Sequence, residues 1–362
     1  TSCRAMKKEK GILVAPLDWG LGHATRCIPL IRALRARGMQ PYIASSGRAL
    51  ALLEREFPDF PLLPIASYRV GYPGRDLVRA MALQSPRLAH AVWREHGQVQ
   101  HIVRRYSLAG VISDNRLGAF CRQVRSIYLT HQLHLRTPHR CLTAVADGMH
   151  HWFIRQYDEC WIPDLAPYPA GLAGALSHPP LPVKTRYVGP LSRLHVPAME
   201  PERDVLVLLS GPEPQRSRLE ELLLLQLKQT EYSVLLVQGK TEVEARWQAA
   251  PNIECISHLT SQALGRALAG SRLVIARSGY STIMDLARTH LKALFIPTPG
   301  QTEQQYLARR LRERRIAYNV PQSALHLQAD MVKAMTFRGF GAISETGSDR
   351  LEPAIADFSN AC

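Results

Sequence analysis

RLVIARSGYSTIMDLARTHLKALFIPTPGQTEQQY, residues 272–306, alternates two kinds of segment. The apolar run Leu273–Ala276 meets a polar turn, Arg277-Ser278-Gly279-Tyr280-Ser281. A helical pattern starts at Thr282, a second apolar run covers Ala293–Pro297, and the polar loop Thr298–Thr302 leads into another helix. Strand, loop, helix, strand, loop, helix is the pattern of a parallel sheet with helical crossovers. Open α/β sheets bind ligands beyond the carboxyl ends of their strands. Both polar loops of this stretch fall there.

The same alternation extends in both directions. Toward the N-terminus, Ile12–Ala15, Tyr42–Ala44, Gly110–Ser113, Ser126–Leu129 and Cys160–Pro163 read as buried strands, the last closing a first sheet. Helical patterns follow Thr25, cover Arg48–Glu56, and occur as two separate segments over 74–82 and 86–105. Pro163–Pro201 is rich in proline and glycine and reads as the crossover between domains. Strands at Val205–Leu209, Ser233–Val237 and 254–256 then start a second alternation, with helices at Ser217–Lys228 and Thr260–Ala269. Leu325–Met335 is a last helical pattern, and the tail after Gly347 reads as peripheral. The expected architecture is α/β: two Rossmann-like, doubly wound parallel-sheet domains facing across a cleft. The divisions are an N-terminal domain at 1–192, a linker at 193–202 and a C-terminal domain at 203–330. The remainder, 331–362, holds a terminal helix, returning toward the N-terminal domain, and a tail.

A length of 362 residues suits two domains, and 46% hydrophobic residues suffice for real cores. No apolar run reaches the length of a membrane span, and the start TSCRAMKKEKGILVAP does not read as a signal peptide. Seven cysteines without paired metal-ligand spacing point to a reducing compartment and no disulfide framework. The net charge of +15 favours anionic partners. Tyr68–Arg105 carries arginines at 69, 75, 79, 87, 94, 104 and 105 against only Asp76 and Glu95, interleaved with Tyr72, Leu77, Met81, Leu83, Leu88 and Trp93. Leu117–Arg140 adds Arg122, Arg125, Arg136 and Arg140 without an acid. Such a stretch suits either a helix lying on an anionic membrane or a solvated basic face. The aromatic positions match no nucleic-acid-binding signature, so specific nucleic-acid recognition is not expected.

Three loops carry candidate chemistry. The first, PLDWGLGHAT at 16–25, places Gly20, Gly22 and His23 at a helix start, where free N–H groups and close backbone approach favour an anion. A dinucleotide fingerprint would need glycine at position 25, where threonine stands, and an acid after the second strand, where Ala44-Ser45-Ser46 stands. His23 is either a general base beside that anion or a histidine satisfied by backbone. In the second, Thr282-Ile-Met-Asp285, Asp285 either closes a capping box or accepts ribose hydroxyls. Thr302-Glu-Gln-Gln305 has the same box spacing. Asp114, after Gly110–Ser113, is a turn aspartate or a group that orients or deprotonates an acceptor hydroxyl. His131/His134 and His150/His151 lack the Cys/Asp company of a metal site, as do His139 and Cys141, so no metal is expected.

Through about residue 320 the chain resembles the GT-B glycosyltransferases, and within them the MurG-like group, glycosyltransferase family 28. That family's R-S-G-x-x-T-x-x-E segment reads here Arg277-Ser278-Gly279-Tyr280-Ser281-Thr282-Ile283-Met284-Asp285, with the shorter aspartate in place of glutamate. Its Q-Q pair reappears as Gln304-Gln305, its G-x-G-G-H loop as Gly20-Leu21-Gly22-His23, and its G-N-P-V-R crossover as Gly189-Pro190-Leu191-Ser192-Arg193. The H-E-Q-N element has an approximate counterpart in Thr130-His131-Gln132-Leu133. The G-G-S-Q-G loop departs most, becoming Ser210-Gly211-Pro212-Glu213-Pro214-Gln215. Here two prolines remove donors and Glu213 adds a negative charge.

The resemblance implies an inverting, metal-independent transfer of a sugar from a UDP-sugar to a hydroxyl acceptor, plausibly a lipid-linked or envelope glycan. It implies a cytoplasmic protein, peripheral on the inner face of the membrane. Donor contacts would come from Gly22, Arg193, Ser210, Gly211, His258, Leu259, Arg277, Ser278, Gly279, Thr282, Asp285, Gln304 and Gln305. Arg277 has bracing of the domain as its other reading. Acceptor contacts would come from Asn115, Arg116, His131 and Gln132, with His23 or Asp114 as base. The rival readings are a hydrolysing UDP-sugar 2-epimerase, which shares the architecture, and a non-enzymatic nucleotide-sugar-binding protein.

Overall fold

The computed structural model describes residues 9–19, 21–68, 77–134, 140–165, 171–178, 183–240, 243–341 and 350–362. Residues 1–8, Gly20, Arg69, Tyr72, Arg75, Asp76, Arg136 and His139 lie outside them, as do the side chains of Leu77, Arg79, Met81, Leu83, Arg140 and Cys141.

Strands β1 (Gly11–Pro16), β2 (Gln40–Ser45), β3 (Leu62–Pro64), β4 (Gly110–Asp114), β5 (Arg125–Leu129), β6 (Glu159–Ile162) and β7 (Lys184–Tyr187) form one sheet. Their spatial order is β3-β2-β1-β4-β5-β6-β7, and every neighbouring pair is parallel. A second seven-stranded sheet follows the order β10-β11-β9-β8-β12-β13-β14. It is built from β8 (Arg203–Leu208), β9 (Val234–Val237), β10 (Arg246–Ala250), β11 (Ile253–Ile256), β12 (Ser271–Ala276), β13 (Lys292–Phe295) and β14 (Tyr318–Asn319). Only β10, at the edge, runs antiparallel to its neighbour. In both sheets the strand order reverses beside the first strand, between β1 and β4 and between β8 and β12. Those reversals open the crevices in which such sheets hold ligands.

The central strands are buried on both faces, which is why they read as apolar runs rather than alternations. Helix α1 (Leu21–Ala36) starts at the first crevice and α7 (Tyr280–Leu286) at the second, and the two pack together. One continuous apolar cluster runs from Ile12, Ile28 and Ile31 to Tyr280, Ile283, Val274 and Phe295. The two crevices are therefore held face to face by buried apolar contact. Gly22 is part of that approach: a Cβ there would lie 2.5 Å from Ser281 Oγ.

Several details differ from the sequence reading. The first sheet is closed by β7, inside the proline-rich crossover, and not by Cys160–Pro163. The two helical segments after residue 74 are one helix, α3 (Leu77–Tyr106), which runs through an exposed Pro86. Strand β10 was invisible because its sequence, Arg-Trp-Gln-Ala-Ala, is largely exposed and has no apolar alternation. The C-terminal tail is helical: α10, Leu351–Ala361, buries Phe358 edge-on against Trp161 at 5.9 Å. Its ion pairs, Arg37–Glu352 at 3.0 Å and Arg186–Asp357 at 2.8 Å, also join it to the N-terminal domain. Helix α9 (Leu327–Met335) instead packs within the second domain, on α5 (Gln215–Leu227) and β13.

Candidate functional site

Asp114 ends β4 with no solvent exposure, at the first topological switch. Its carboxylate is surrounded by α1. Arg26 Nε donates to Oδ2 at 2.7 Å, Arg26 Nη2 donates to Oδ1, and His23 Nδ1 lies 3.1 Å from Oδ1. His23 and Arg26 are three residues apart, so one helical face presents both to the strand end. Burial works to raise the Asp114 pKa, but the Arg26 and His23 charges and hydrogen bonds hold it well below the usual range. The His23 pKa is lowered as well. Burial, with help from the Arg26 and His131 charges, lowers its pKa against the pull of Asp114. The imidazole is thus neutral near pH 7 and capable of accepting a proton.

His131, after β5, extends this cluster toward the second domain. Its Nδ1 lies 3.1 Å from Arg26 Nη1 and its Nε2 lies 2.9 Å from Glu303 Oε1. The ring stacks on Tyr280, 4.0 Å between centroids and 11° from parallel. Gln132 Nε2 donates to the other Glu303 oxygen. Burial works to raise the Glu303 pKa, but the hydrogen bond and charge of His131, with Arg26 and His23 beyond it, hold it low. Further cross-domain contacts run from Tyr280 Oη to Pro163 O (2.8 Å) and from Ala175 N to Tyr306 Oη (2.8 Å).

The second crevice is more open. Ser210 and Gly211, after β8, are exposed, with Gly211 at φ 103°, a conformation that favours glycine. Glu213 does not aim at this loop's opening. It turns back to Arg216 and to the Ser217 N–H at the start of α5, so its charge is matched there. The Thr298 hydroxyl lies beside Gly211 and, though buried, has no hydrogen-bond partner among the described residues. Arg193 Nε is another such orphan. Asp285 accepts from Ser192 Oγ at 2.5 Å, and burial, opposed by Ser192 and Arg193, raises its pKa to about 6. His258 and Leu259 follow β11, half-buried, with His258 Nδ1 3.2 Å from Ser257 Oγ. Gln305 is exposed on α8 (Thr302–Glu313), while Gln304 accepts from Thr298 N at 2.8 Å and donates to Gln301.

Three sequence readings change, and the structure favours the bracing reading of Arg277. Thr282 does not cap a helix: α7 begins at Tyr280 with Gly279 at its N-cap, so Thr282 lies inside it. Thr302 likewise lies inside α8, whose N-cap is Gln301. Neither capping box forms. Arg277 is buried and braces the domain, donating to the carbonyls of Ile296, Pro297 and Gln215 and to Gln322 Oε1. Arg116 is buried too; it donates to Pro16 O and Ala66 O and pairs with Glu95 at 2.5 Å. Its place is the interior of the first domain, not an acceptor surface. Asn115, next to it, is half-buried at φ 57°. Ser278 is also buried, its hydroxyl bonded to Gln304 O at 2.9 Å. Sequence reasoning passed over Arg26, Tyr280 and Glu303, although the spacing of His23 and Arg26 on one helix face was a signal.

Residues 216–338 match the model of the glycosyltransferase family 28 C-terminal domain. No curated protein matches the chain. Among solved structures, the chain is similar to the glycotransferase of kitacinnamycin, at 15% identity and a TM-score of 0.68 over 98% of this chain and 99% of that one. It is similar to the spinosyn rhamnosyltransferase SpnG complexed with thymidine diphosphate, at 15% identity and 0.66 over 96% and 99%. MurG of Acinetobacter baumannii aligns at 13% identity and 0.56 over 97% and 99%. At such identities these likenesses establish the fold, and the family model places the second domain.

Proposed function

From a chain with the GT-B fold and a glycosyltransferase family 28 C-terminal domain, we propose an inverting glycosyltransferase that takes its sugar from a UDP-sugar. The observation that carries this reading is the pairing of His23 with Asp114 at one switch point, directly opposite the loops of the other. A sugar acceptor's hydroxyl is a poor nucleophile, and a neutral, partly exposed imidazole can take its proton during attack on C1. Asp114 is too enclosed to meet an acceptor itself. With Arg26, it holds the imidazole in place, and it stabilises the imidazolium that forms.

The leaving diphosphate would be met by Arg193, by the Thr298 hydroxyl and by backbone N–H groups of Ser210–Gly211 and Ser278–Gly279. Thr298 Oγ1 and Arg193 Nε, two of the buried polar atoms without a partner among the described residues, support this, since buried polar groups are ordinarily satisfied. Charge neutralisation by these groups makes the transfer metal-independent. Asp285 would accept the ribose hydroxyls, and Gln304 and Gln305 would contact the donor sugar. His258 and Leu259 would meet the base, and Asn115, His131 and Gln132 would border the acceptor.

The acceptor would be lipid-linked, reached from an anionic membrane surface. Trp93 on α3 is 73% exposed, and Trp152 on α4 (Arg140–Ile154) is 56% exposed. Phe153 of α4 and Leu88 and Ala91 of α3 pack against the same small apolar cluster, and Arg87 and Arg94 are exposed on α3. Indole rings beside arginines suit the interface of an anionic bilayer.

A ligand-induced thermal-shift panel of UDP-, GDP- and dTDP-sugars, with Asp285→Ala and Gln305→Ala in parallel, tests the donor site. A UDP-sugar shift lost in both variants is expected. A dTDP-selective shift would overturn the choice of base, and equal shifts in wild type and variants would overturn the residue assignment. Co-sedimentation with phosphatidylglycerol vesicles, but not with phosphatidylcholine alone, tests the membrane surface. Product formation that survives EDTA tests metal independence.

A further inference from the structure

We propose that the far end of helix α8 carries a second anion site, suited to a ligand with two or more closely spaced phosphate groups. A cavity of about 620 Å³ opens there, lined by Arg309, Arg312, Arg315 and Lys333 with the rings of Tyr318 and Phe337. It is remote from the donor crevice. Gln304 lies in the first turn of α8 and Arg315 just past its end, about 17 Å away along the helix axis at 1.5 Å per residue.

Two touching rings carry the cations. Tyr318 and Phe337 are buried, with 5.5 Å between their centroids. Arg312 Cζ stands 4.9 Å from the Tyr318 centroid and Lys333 Nζ 5.9 Å from it, while Arg315 Cζ stands 4.6 Å from the centroid of Phe337. A ring face holds a cation through its quadrupole and leaves the guanidinium N–H groups free, in the fork that matches phosphate oxygens. Lys333 is paired with Asp330 at 3.6 Å. Arg309, Arg312 and Arg315 are exposed and form no ion pair among the described residues; Arg312 reaches the Asn319 carbonyl at 3.4 Å. Four cations thus face a single lining acid, Glu313.

Cations at a helix end ordinarily serve its last carbonyls. Here those carbonyls are taken. At the end of α8, Arg310 O accepts from Arg314 N, Arg312 O from Arg315 N and Leu311 O from Ile316 N. At the end of α9, Ala334 O accepts from Phe337 N and Met335 O from Lys292 Nζ. The bonds from Arg315 and Ile316 make a Schellman motif, in which the residue past the cap is left-handed and usually glycine. Arg315 occupies that place, at φ 58°. A long side chain is unfavourable in this conformation, and its effect here is to set a guanidinium against Phe337 in the cavity. Like charges gathered with so little compensation repel one another, and a multiply charged anion reverses the sign of that interaction. Such phosphates come either on a soluble polyphosphate or on a lipid head group.

Titration calorimetry of the intact chain with inorganic tripolyphosphate tests the site. Arg315→Gly suits the left-handed backbone, so it removes a guanidinium without straining the fold, and Arg315→Gly/Lys333→Gln removes two charges from the cavity. Arg87→Gln/Arg94→Gln removes the same charge from exposed positions on α3, in the other domain. Wild type and the α3 pair should bind alike. The cavity pair should bind about tenfold more weakly or worse, the worth of a charge-assisted hydrogen bond. Any binding at the donor crevice is common to all these proteins and cancels in the comparison. An affinity unchanged in the folded cavity pair, or lowered as much by the α3 pair, overturns the proposal, because the anion then sits elsewhere or answers to net charge alone. Flotation with cardiolipin vesicles, scored against phosphatidylcholine vesicles, separates the two sources. Vesicle binding weakened in the cavity pair makes the ligand a lipid head group, and vesicle binding equal to wild type makes it a soluble polyphosphate.

Discussion

Two aspartates, one at each switch point, show how differently the halves of this molecule are finished. Asp114 has both oxygens engaged by Arg26 and His23, and its pKa is held far down. Asp285 has Ser192 Oγ on one oxygen and its pKa is raised to about 6 by burial. The residue type is the same, and water is kept from Asp114 wholly and from Asp285 in part. What differs is whether the fold itself supplies the compensating charge. At the first site it does, so the cluster is a finished piece of structure that poises a base. At the second the opposing charge of Arg193 does not outweigh burial, so the carboxylate and the orphaned Thr298 and Arg193 atoms are left for something else to satisfy. A preformed acid–base site facing an unfinished anion site is the division expected when chemistry sits on one domain and donor binding on the other.

The most severe way to break this contrast is Arg26→Met. Removing one partner of a buried pair leaves an uncompensated charge, which costs about 3–5 kcal/mol. Urea unfolding at neutral pH should show a loss of that order in the transition of the first domain. A loss of a few tenths would mean that Asp114 is solvated and the cluster is not closed. Next in size, His23→Gln should lower sugar transfer by about 10²–10⁴-fold, the ordinary contribution of a general base. Its donor-induced thermal shift should remain. Because burial lowers the His23 pKa, the acid limb of the wild-type rate profile should lie below the unperturbed histidine value, near pH 6.5. A limb above it would point to a different base.

Asp285→Asn tests the opposite end of the comparison. An acid whose folded pKa lies above its unfolded value is destabilising when ionised. The penalty is absent below the unfolded value, near 3.8, and fully present above about 6. Asparagine keeps an oxygen for Ser192 and cannot ionise. The variant should therefore be more stable than wild type by up to about 3 kcal/mol near pH 8, since each pH unit separating the two pKa values is worth about 1.4 kcal/mol. The gap should close as pH falls through the folded value. Stability gained together with donor binding lost would mark Asp285 as a binding group. A variant less stable than wild type near pH 8 would show that the carboxylate is already compensated in the free protein.

The two sites were also unequally legible. The C-terminal donor loops could be read because strand, turn and helix are contiguous over 272–306, and local order decides where each residue falls. Even there the helix cap was misplaced by three residues, since Gly279 rather than Thr282 occupies the N-cap. The N-terminal cluster gave up His23 and Asp114 as separate candidates, but not their union. That depends on β1 and β4 being neighbours, a fact of topology. Glu303 stands inside Thr302-Glu-Gln-Gln305 and reads there as part of a box, because its partner His131 lies 172 residues away in the other domain. Arg116 misled, and Arg277 was left with two readings, for a related reason. An arginine near a loop looks like a ligand contact until its carbonyl partners, brought together by the fold, are seen.

The smallest predicted effect bears on how tightly the finished half is pressed against the unfinished one. Gly22 and Ser281 begin the two facing helices, and a Cβ on residue 22 would stand 2.5 Å from Ser281 Oγ and 3.3 Å from Ser281 Cβ. The hydroxyl can rotate away but the Cβ cannot, so Gly22→Ala should cost about 1 kcal/mol, the low end of an overpacking penalty. If the cost arises at this contact, Ser281→Gly should relieve it, and a double-mutant cycle by thermal unfolding should return a favourable coupling of similar size. Additive effects would mean that the domains part enough in solution for the two residues not to meet. That would leave the geometry of each crevice intact, but the seated arrangement that joins Glu303 to His131 would then be one of at least two states.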